Sequence, residues 1–86
     1  MNTFHTMRLF QRVRTEVTEQ PTAETLSALC RNDVFRFALS RTGNQTTAED
    51  VAVETFADAL RALARFDGRV AVKIWLFGIA RRKTAD

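Results

Sequence analysis

The chain has 86 residues, a single cysteine and a formal net charge of +3 at pH 7. This length suits one domain, and a lone cysteine excludes an internal disulfide. No apolar run approaches the length of a membrane span, and the first residues lack the continuous apolar core of a signal peptide. We therefore expect a soluble, cytoplasmic protein that does not engage a membrane.

Charge is distributed unevenly along the chain. Residues 44–60 carry four acidic side chains and no basic one, whereas residues 61–86 carry seven basic and two acidic side chains. This asymmetry indicates two partners of different charge, with nucleic acid a candidate for the basic end. The alternative, on charge alone, is a set of solvated helix faces that interact with nothing.

The first half of the chain predicts one short and one long helix. Within residues 1–21, apolar side chains at helical spacing allow a short extra helix before Pro21: Phe10, Val13 and Val17. From about Thr22 to Thr42, apolar residues advance by three or four and predict a longer helix with one buried stripe: Leu26, Leu29, Cys30, Val34, Phe37 and Ala38. Cys30 is therefore expected to be a small core residue rather than a nucleophile. Gly43 and Asn44 form the expected end of this helix.

A second helix is predicted to start at Thr46. Thr46 and Glu49 have the spacing of a capping box, in which each side chain satisfies a free amide of the first turn. The apolar pattern predicts a buried stripe along this helix: Ala52, Phe56, Ala59, Leu60 and Leu63. Asp67 and Gly68 then give a turn signal.

A third helix is predicted from about Ala71. Its apolar residues occupy positions i, i+3, i+4, i+7 and i+8, which is a clean amphipathic pattern: Val72, Trp75, Leu76, Ile79 and Ala80. No segment shows strand alternation or a glycine-rich phosphate loop. We predict an all-α fold, a small bundle of three main helices over residues 22–86, with residues 1–21 as an N-terminal extension.

The side chains that catalysis requires do not converge in this sequence. His5 stands alone near one end, and the second helix offers four carboxylates without a neighbouring base or a histidine: Glu49, Asp50, Glu54 and Asp58. We expect no enzyme activity, no metal and no cofactor. The acidic strip is instead interpreted as solvated or as facing a partner.

The third helix carries an unusual side opposite its predicted buried stripe. That side presents apolar groups beside a glycine and basic groups: Lys73, Ile74, Phe77, Gly78, Arg81 and Arg82. Basic groups that track phosphates, together with rings that receive bases, are the requirements for holding unpaired nucleic acid. The alternative is that Ile74 and Phe77 pack against the N-terminal segment or another domain.

Three ordered motifs in residues 26–86 resemble extracytoplasmic-function sigma factors of bacterial RNA polymerase. The stretch Asp33–Asn44 resembles the first helix of that family, and Ala48–Phe56 resembles its "AEDLVQETF" signature. Arg65–Arg69 followed by Trp75–Arg81 resembles "RFDGR…WLYRIAR". The resemblance implies conserved region 2 of a sigma factor, without the C-terminal domain that reads the −35 element.

The resemblance also implies two binding surfaces. The second helix is expected to dock on the clamp helices of the polymerase β′ subunit through Asp50, Val53, Glu54 and Asp58. The following loop and the third helix are expected to recognise and melt the promoter −10 element by capturing the non-template strand. The implied DNA-contacting residues are Phe66, Asp67, Gly68, Arg69, Val70, Ala71, Lys73, Ile74, Phe77, Arg81 and Arg82. Trp75 matches a family tryptophan, but its place on the apolar stripe favours a core role.

Two positions depart from the family pattern. Val53 stands where the family has glutamine, which bears on one polar contact with polymerase, and Arg82 stands where asparagine is usual, which bears on base preference. An anti-sigma factor is a further expected partner. Two other hypotheses remain: a sigma-like protein-interaction module that acts mainly through such a factor, and a duplex-reading helix-turn-helix. The latter ranks last because Ile74 and Phe77 stand where base-reading polar side chains are needed.

Overall fold

A computed structural model describes residues 20–85 of the chain. They form four α-helices, a π-helical stretch and one 3₁₀ turn, and the described range contains no strand. The elements are α1 (Ala23–Leu29), the π-helical stretch (Cys30–Val34), α2 (Phe35–Thr42), α3 (Gln45–Ala62), the 3₁₀ turn (Leu63–Arg65) and α4 (Val72–Thr84). Because α1, the π-helical stretch and α2 follow one another without a break, the bundle has three helical rods, which confirms the predicted all-α class. The predicted extra helix around Phe10 lies outside the described residues.

Local capping interactions define the two ends of the first rod. Thr22 caps α1, its hydroxyl accepting a hydrogen bond from the Thr25 amide at 3.0 Å. Gly43 closes α2 with a positive φ of 66°, a conformation that costs glycine little, and its N–H donates to the Leu39 carbonyl. The predicted end of the first long helix is therefore confirmed.

The predicted capping box at the start of α3 is wrong. The N-cap is Asn44, whose side-chain oxygen accepts a hydrogen bond from the Thr47 amide at 2.8 Å. Asn44 has extended backbone angles directly after Gly43, so it already occupies the capping position, and asparagine caps at least as well as threonine. Thr46 and Glu49 consequently both lie within the helix.

Small and medium apolar side chains build the core between the three rods. The buried apolar residues are Leu26, Cys30, Val34, Ala38, Ala48, Val51, Ala52, Ala59, Leu76, Ile79 and Ala80. Cys30 is a core residue as predicted, and burial raises the pKa of its thiol to about 11. A thiol with this pKa ionises little at neutral pH, so the structure gives it no nucleophilic character.

The stripe predicted for α3 is partly wrong. Leu60 is 40 % exposed, whereas Thr55 is fully buried and its hydroxyl has no hydrogen-bond partner in the described range. Residues at positions 48, 52, 55 and 59 follow the inner line of the helix, and Leu60 lies about 100° around the axis from Ala59. The apolar pattern therefore predicted the helix correctly but placed its inner face too far toward one side.

The third rod, α4, contacts both of the others. Phe77 stacks on Phe37 of α2 with ring centroids 4.8 Å apart, and Arg41 Nε donates to the Thr84 hydroxyl at 2.9 Å. On the α3 side, Lys83 Nζ lies 2.6 Å from an Asp58 carboxylate oxygen. Within residues 20–85, no helix is both long enough and apolar enough to span a membrane.

Candidate functional site

One side of α4 is exposed along most of the helix. Ile74 is 61 % exposed, and Gly78, Arg81 and Arg82 are exposed beside it. A side chain added at Gly78 would meet no atom of the described chain within 4 Å. We call these four residues the outward face of α4. It combines one large apolar side chain, one glycine whose backbone is accessible and two arginines.

Two residues predicted for this face lie on the flank that packs against the first rod. Phe77 is half-buried in its stack with Phe37, with ring planes 12° apart. Lys73 Nζ lies 3.3 Å from the Asp33 carboxylate of the π-helical stretch. The prediction that Phe77 is presented opposite the buried stripe is therefore wrong, because α2 covers that flank of α4.

The loop between the 3₁₀ turn and α4 is shaped by its own side chains. Phe66 packs on Trp75, with ring centroids 4.6 Å apart. The Asp67 carboxylate accepts a hydrogen bond from the Arg69 amide at 3.0 Å and also contacts the Arg69 side chain at 3.1 Å. Gly68, between them, has a positive φ of 77°, which favours glycine. This turn leaves Val70 47 % exposed immediately before α4.

The four carboxylates of α3 do not form one free strip. Glu49 and Asp50 are exposed, but Asp58 pairs with both Lys83 and Arg61, and Glu54 lies 3.9 Å from Lys83. The hydrogen bond from Lys83, with further help from Arg61, holds the pKa of Asp58 below its ordinary value. For Glu54 and Asp58, the expectation that the carboxylates lack a neighbouring base is wrong, since Lys83 of α4 lies within ion-pair distance of both.

An apolar groove lies on the other flank of α3, facing the first rod. It encloses about 330 Å³ and is lined by Arg31, Phe35, Glu49, Ala52 and Val53. A second hollow of about 150 Å³ beside it shares three of these residues and adds Phe56. Val53 is 67 % exposed at the edge of both. We call this surface the apolar groove.

Sequence reasoning missed a second cleft, between the end of α3 and α4. It encloses about 280 Å³ and is lined by Asp58, Arg61, Ala62, Arg65, Trp75, Ile79 and Arg82. Arg61 lies in the last turn of α3, and Arg65 ends the 3₁₀ turn that follows it. Their meeting with Arg82 follows from the packing of α4 on α3, which no local pattern specifies. We call this surface the arginine cleft.

The described residues contain no group of three or more histidine, cysteine, aspartate or glutamate side chains that could hold a metal ion.

The matches to known proteins fall on the same elements. The family model described as Sigma-70 region 2 matches residues 26–86, which include both surfaces of α3 and all of α4. The chain belongs to the sigma-70 region 2 family. Two of its curated relatives are ECF RNA polymerase sigma factors, which confirms the resemblance carried by the three motifs.

Two relatives illustrate the extent of the similarity. The ECF RNA polymerase sigma factor SigM of Bacillus subtilis is 38 % identical over 65 residues, which are 76 % of this chain and 39 % of the relative. The ECF RNA polymerase sigma factor SigC of Mycobacterium tuberculosis is 41 % identical over 58 residues, which are 65 % of this chain and 30 % of the relative. The region 2 chain thus spans well under half the length of these relatives. No solved structure matches the chain significantly.

Proposed function

We propose that this region 2 domain acts in transcription initiation, binding core RNA polymerase through α3 and the melted −10 element of a promoter through the loop and α4. The observation that carries the proposal is the outward face of α4, where an exposed Ile74 is followed by Gly78 and two exposed arginines. A face of this kind has no role in packing the domain itself.

The chemistry of the outward face favours unpaired over paired DNA. An exposed apolar side chain such as Ile74 gains from contact with a base face, and a duplex keeps its base faces stacked. Arg81 and Arg82 supply charge for the phosphates on either side of that base. Phe77 is half-buried in its stack with Phe37, and Lys73 is partly neutralised by its ion pair with Asp33.

The loop is proposed to select the base that enters. Its turn is fixed by the Asp67–Arg69 contacts and by Gly68, so the loop has a defined shape before DNA arrives. Phe66 packs on Trp75 at one end of the loop, and Ala71 at the other end is the N-cap of α4. Val70 is the exposed apolar group between these ends, and we assign to it the contact with an extruded base.

The polymerase-binding half of the proposal rests on the apolar groove and its acidic edge. Val53 offers an exposed apolar contact, and Asp50 and Glu54 are exposed beside it. Apolar contact at the centre with charge at the rim is the usual composition of a protein interface. Asp58 is proposed to contribute by holding Lys83 and Arg61 rather than by direct contact, and the partner is the pair of β′ clamp helices.

Two exposed valines allow these two halves to be tested separately. Val53→Asp should weaken binding to core RNA polymerase by about tenfold or more, since a carboxylate would be buried at an apolar contact. Val70→Asp should leave polymerase binding unchanged and should weaken binding to single-stranded −10-like DNA. Both valines are exposed, so both variants should fold as the wild type does, as thermal unfolding followed by circular dichroism will check.

The outcome of this experiment also separates the competing function. If Val53→Asp weakens polymerase binding while neither Val70→Asp nor the wild type shows any affinity for single-stranded DNA, the domain is a protein-interaction module. An anti-sigma factor would then be the partner to seek. If both variants bind polymerase and DNA as the wild type does, both surfaces are assigned wrongly.

A further inference from the structure

The arginine cleft concentrates positive charge, most of which forms no ion pair among the described residues. Arg61, Arg65 and Arg82 line it, against the single carboxylate of Asp58. That carboxylate is already shared, because Lys83 Nζ lies 2.6 Å from it and Arg61 pairs with it as well. Among the ion pairs of residues 20–85, none involves Arg65 or Arg82. The cleft therefore carries an excess of positive charge.

The shape of the cleft suits a ligand group larger than water. Its volume of about 280 Å³ compares with roughly 30 Å³ for one water in the liquid. Trp75 and Ile79 of α4 line it, and its arginines come from three elements: Arg61 from α3, Arg65 from the 3₁₀ turn and Arg82 from α4. Guanidinium groups present paired N–H donors that match the oxygens of a phosphate.

The cleft is also continuous with the outward face of α4. Arg82 belongs to both surfaces, and Ile74 lies eight residues before it, about 12 Å along the helix axis. Trp75 joins the cleft to the loop, since its ring packs on Phe66. A strand whose base is held at the loop and at Ile74 would have its next phosphates within reach of this cleft.

We propose that the arginine cleft binds the phosphodiester backbone of the captured DNA strand, with Arg61 and Arg65 as contacts in addition to Arg82. This inference rests on the proposed function, which assigns DNA to α4 and the loop but not to the end of α3. The cleft makes no base-specific contact. It fixes the path of the strand beyond the outward face, so its contribution to affinity is the same for every sequence and is sensitive to salt.

The test measures binding of the full 86-residue chain to a single-stranded −10-like oligonucleotide by fluorescence anisotropy over a series of salt concentrations. Arg65→Gln should lower affinity at low salt by about tenfold, the effect of losing one charged hydrogen-bonding group. The slope of log affinity against log salt should fall by about 0.7, and in the double variant Arg61→Gln/Arg65→Gln by about 1.4. Arg65→Lys should keep the salt slope of the wild type but only part of its affinity, because lysine keeps the charge and lacks the paired donors.

The matched control is Arg36→Gln, which removes the same charge from an exposed position of α2 outside both surfaces. It should change the slope little, so a loss specific to Arg61 and Arg65 excludes a general effect of net charge. Arg65→Gln should lower the affinity for scrambled oligonucleotides as much as it lowers the affinity for the −10-like sequence. Competition with ATP distinguishes the ligand source: displacement of the oligonucleotide by micromolar ATP would assign the cleft to free nucleotides and overturn the proposal.

The outcomes separate this inference from the function on which it rests. If Arg65→Gln and the double variant bind as the wild type does while Val70→Asp still loses affinity, the cleft proposal is wrong and the proposed function stands. If the variants lose affinity and salt slope but the wild type shows no preference for single strands over duplex, the cleft binds phosphates and the melting role fails. Absence of DNA binding by the wild type overturns both.

Discussion

The two sides of α4 differ in what holds their residues. On the inner side, Leu76 is fully buried, Phe77 stacks on Phe37, and Lys83 pairs with Asp58 of α3. On the outward face, Ile74 and Arg81 are exposed. Both sides carry apolar and basic residues, so composition alone does not distinguish them. The surface available to a partner is therefore identified by side chains that make no contact within the domain, and not by residue type.

The same comparison applies to charge. Lys73 and Lys83 are basic residues of α4, but each contacts a carboxylate of a neighbouring element, Asp33 and Asp58. Exposed arginines whose charge is not matched within the domain are the ones that can release counterions from DNA. The following changes test whether the inner side acts on stability and the outward face on binding.

The largest expected effect on stability is at the stacked pair between α2 and α4. Phe77→Ala should lower the free energy of unfolding by about 1–2 kcal/mol, because a half-buried ring and its aromatic contact are lost. Phe37→Ala should cost a similar amount, and the double variant should cost less than both losses together by about 0.5–1.5 kcal/mol. Urea unfolding of the four proteins measures this coupling. Additive losses, with DNA binding reduced by Phe77→Ala alone, would place Phe77 on the binding surface instead.

A smaller effect of opposite sign is expected at Gly78. Because an added side chain there meets no atom of the described chain, Gly78→Ala should raise the free energy of unfolding by roughly 0.5–1 kcal/mol. If the strand approaches the helix backbone at this position, the same variant should bind single-stranded DNA more weakly. Stability from urea unfolding and affinity from anisotropy should therefore move in opposite directions. A variant that is more stable and binds equally well would show that Gly78 is not a point of close approach.

The smallest expected effect concerns the ion pairs that join α3 to α4. The pKa of Asp58 is lowered in the folded protein, so its contribution is present above the ordinary aspartate pKa and is lost as pH falls through the folded value. Asp58→Asn should thus be slightly less stable than the wild type at pH 7, and this difference should shrink as pH falls below the ordinary aspartate pKa. Thermal unfolding at several pH values measures it. A difference independent of pH would mean that the Asp58 charge contributes nothing.

Much of the fold follows from periodicity in the sequence. The apolar spacing predicts all three rods, and Gly43 and the Asp67–Gly68 turn predict two of their boundaries. What periodicity cannot supply is the direction from which neighbours approach. The predictions for Leu60 and Phe77 are wrong for this reason. Leu60 was predicted to be buried and is exposed, whereas Phe77 was predicted to be exposed and is half-buried against α2. In both cases the position of the adjacent rod decides whether the side chain is covered.

The binding surfaces show the same limit. Ile74 and Arg81 stand out in the sequence because an apolar group and a charge share the side opposite the buried stripe, and the structure leaves both exposed. The arginine cleft does not stand out, since Arg65 and Arg82 are separated by seventeen positions and are brought together only by the bundle. The engagement of Asp58 by Lys83 likewise depends on contacts between rods.

The most direct test of the account is the strand preference of the domain. Wild-type protein with core RNA polymerase should bind a −10-like non-template single strand at least about tenfold more tightly than the same sequence as duplex, since base contacts contribute about 1–3 kcal/mol each. Ile74→Ala should reduce that preference without changing the free energy of unfolding by more than about 0.5 kcal/mol. Equal binding of both DNA forms, with Ile74→Ala silent, would contradict the assignment of the outward face of α4 to a melted promoter strand.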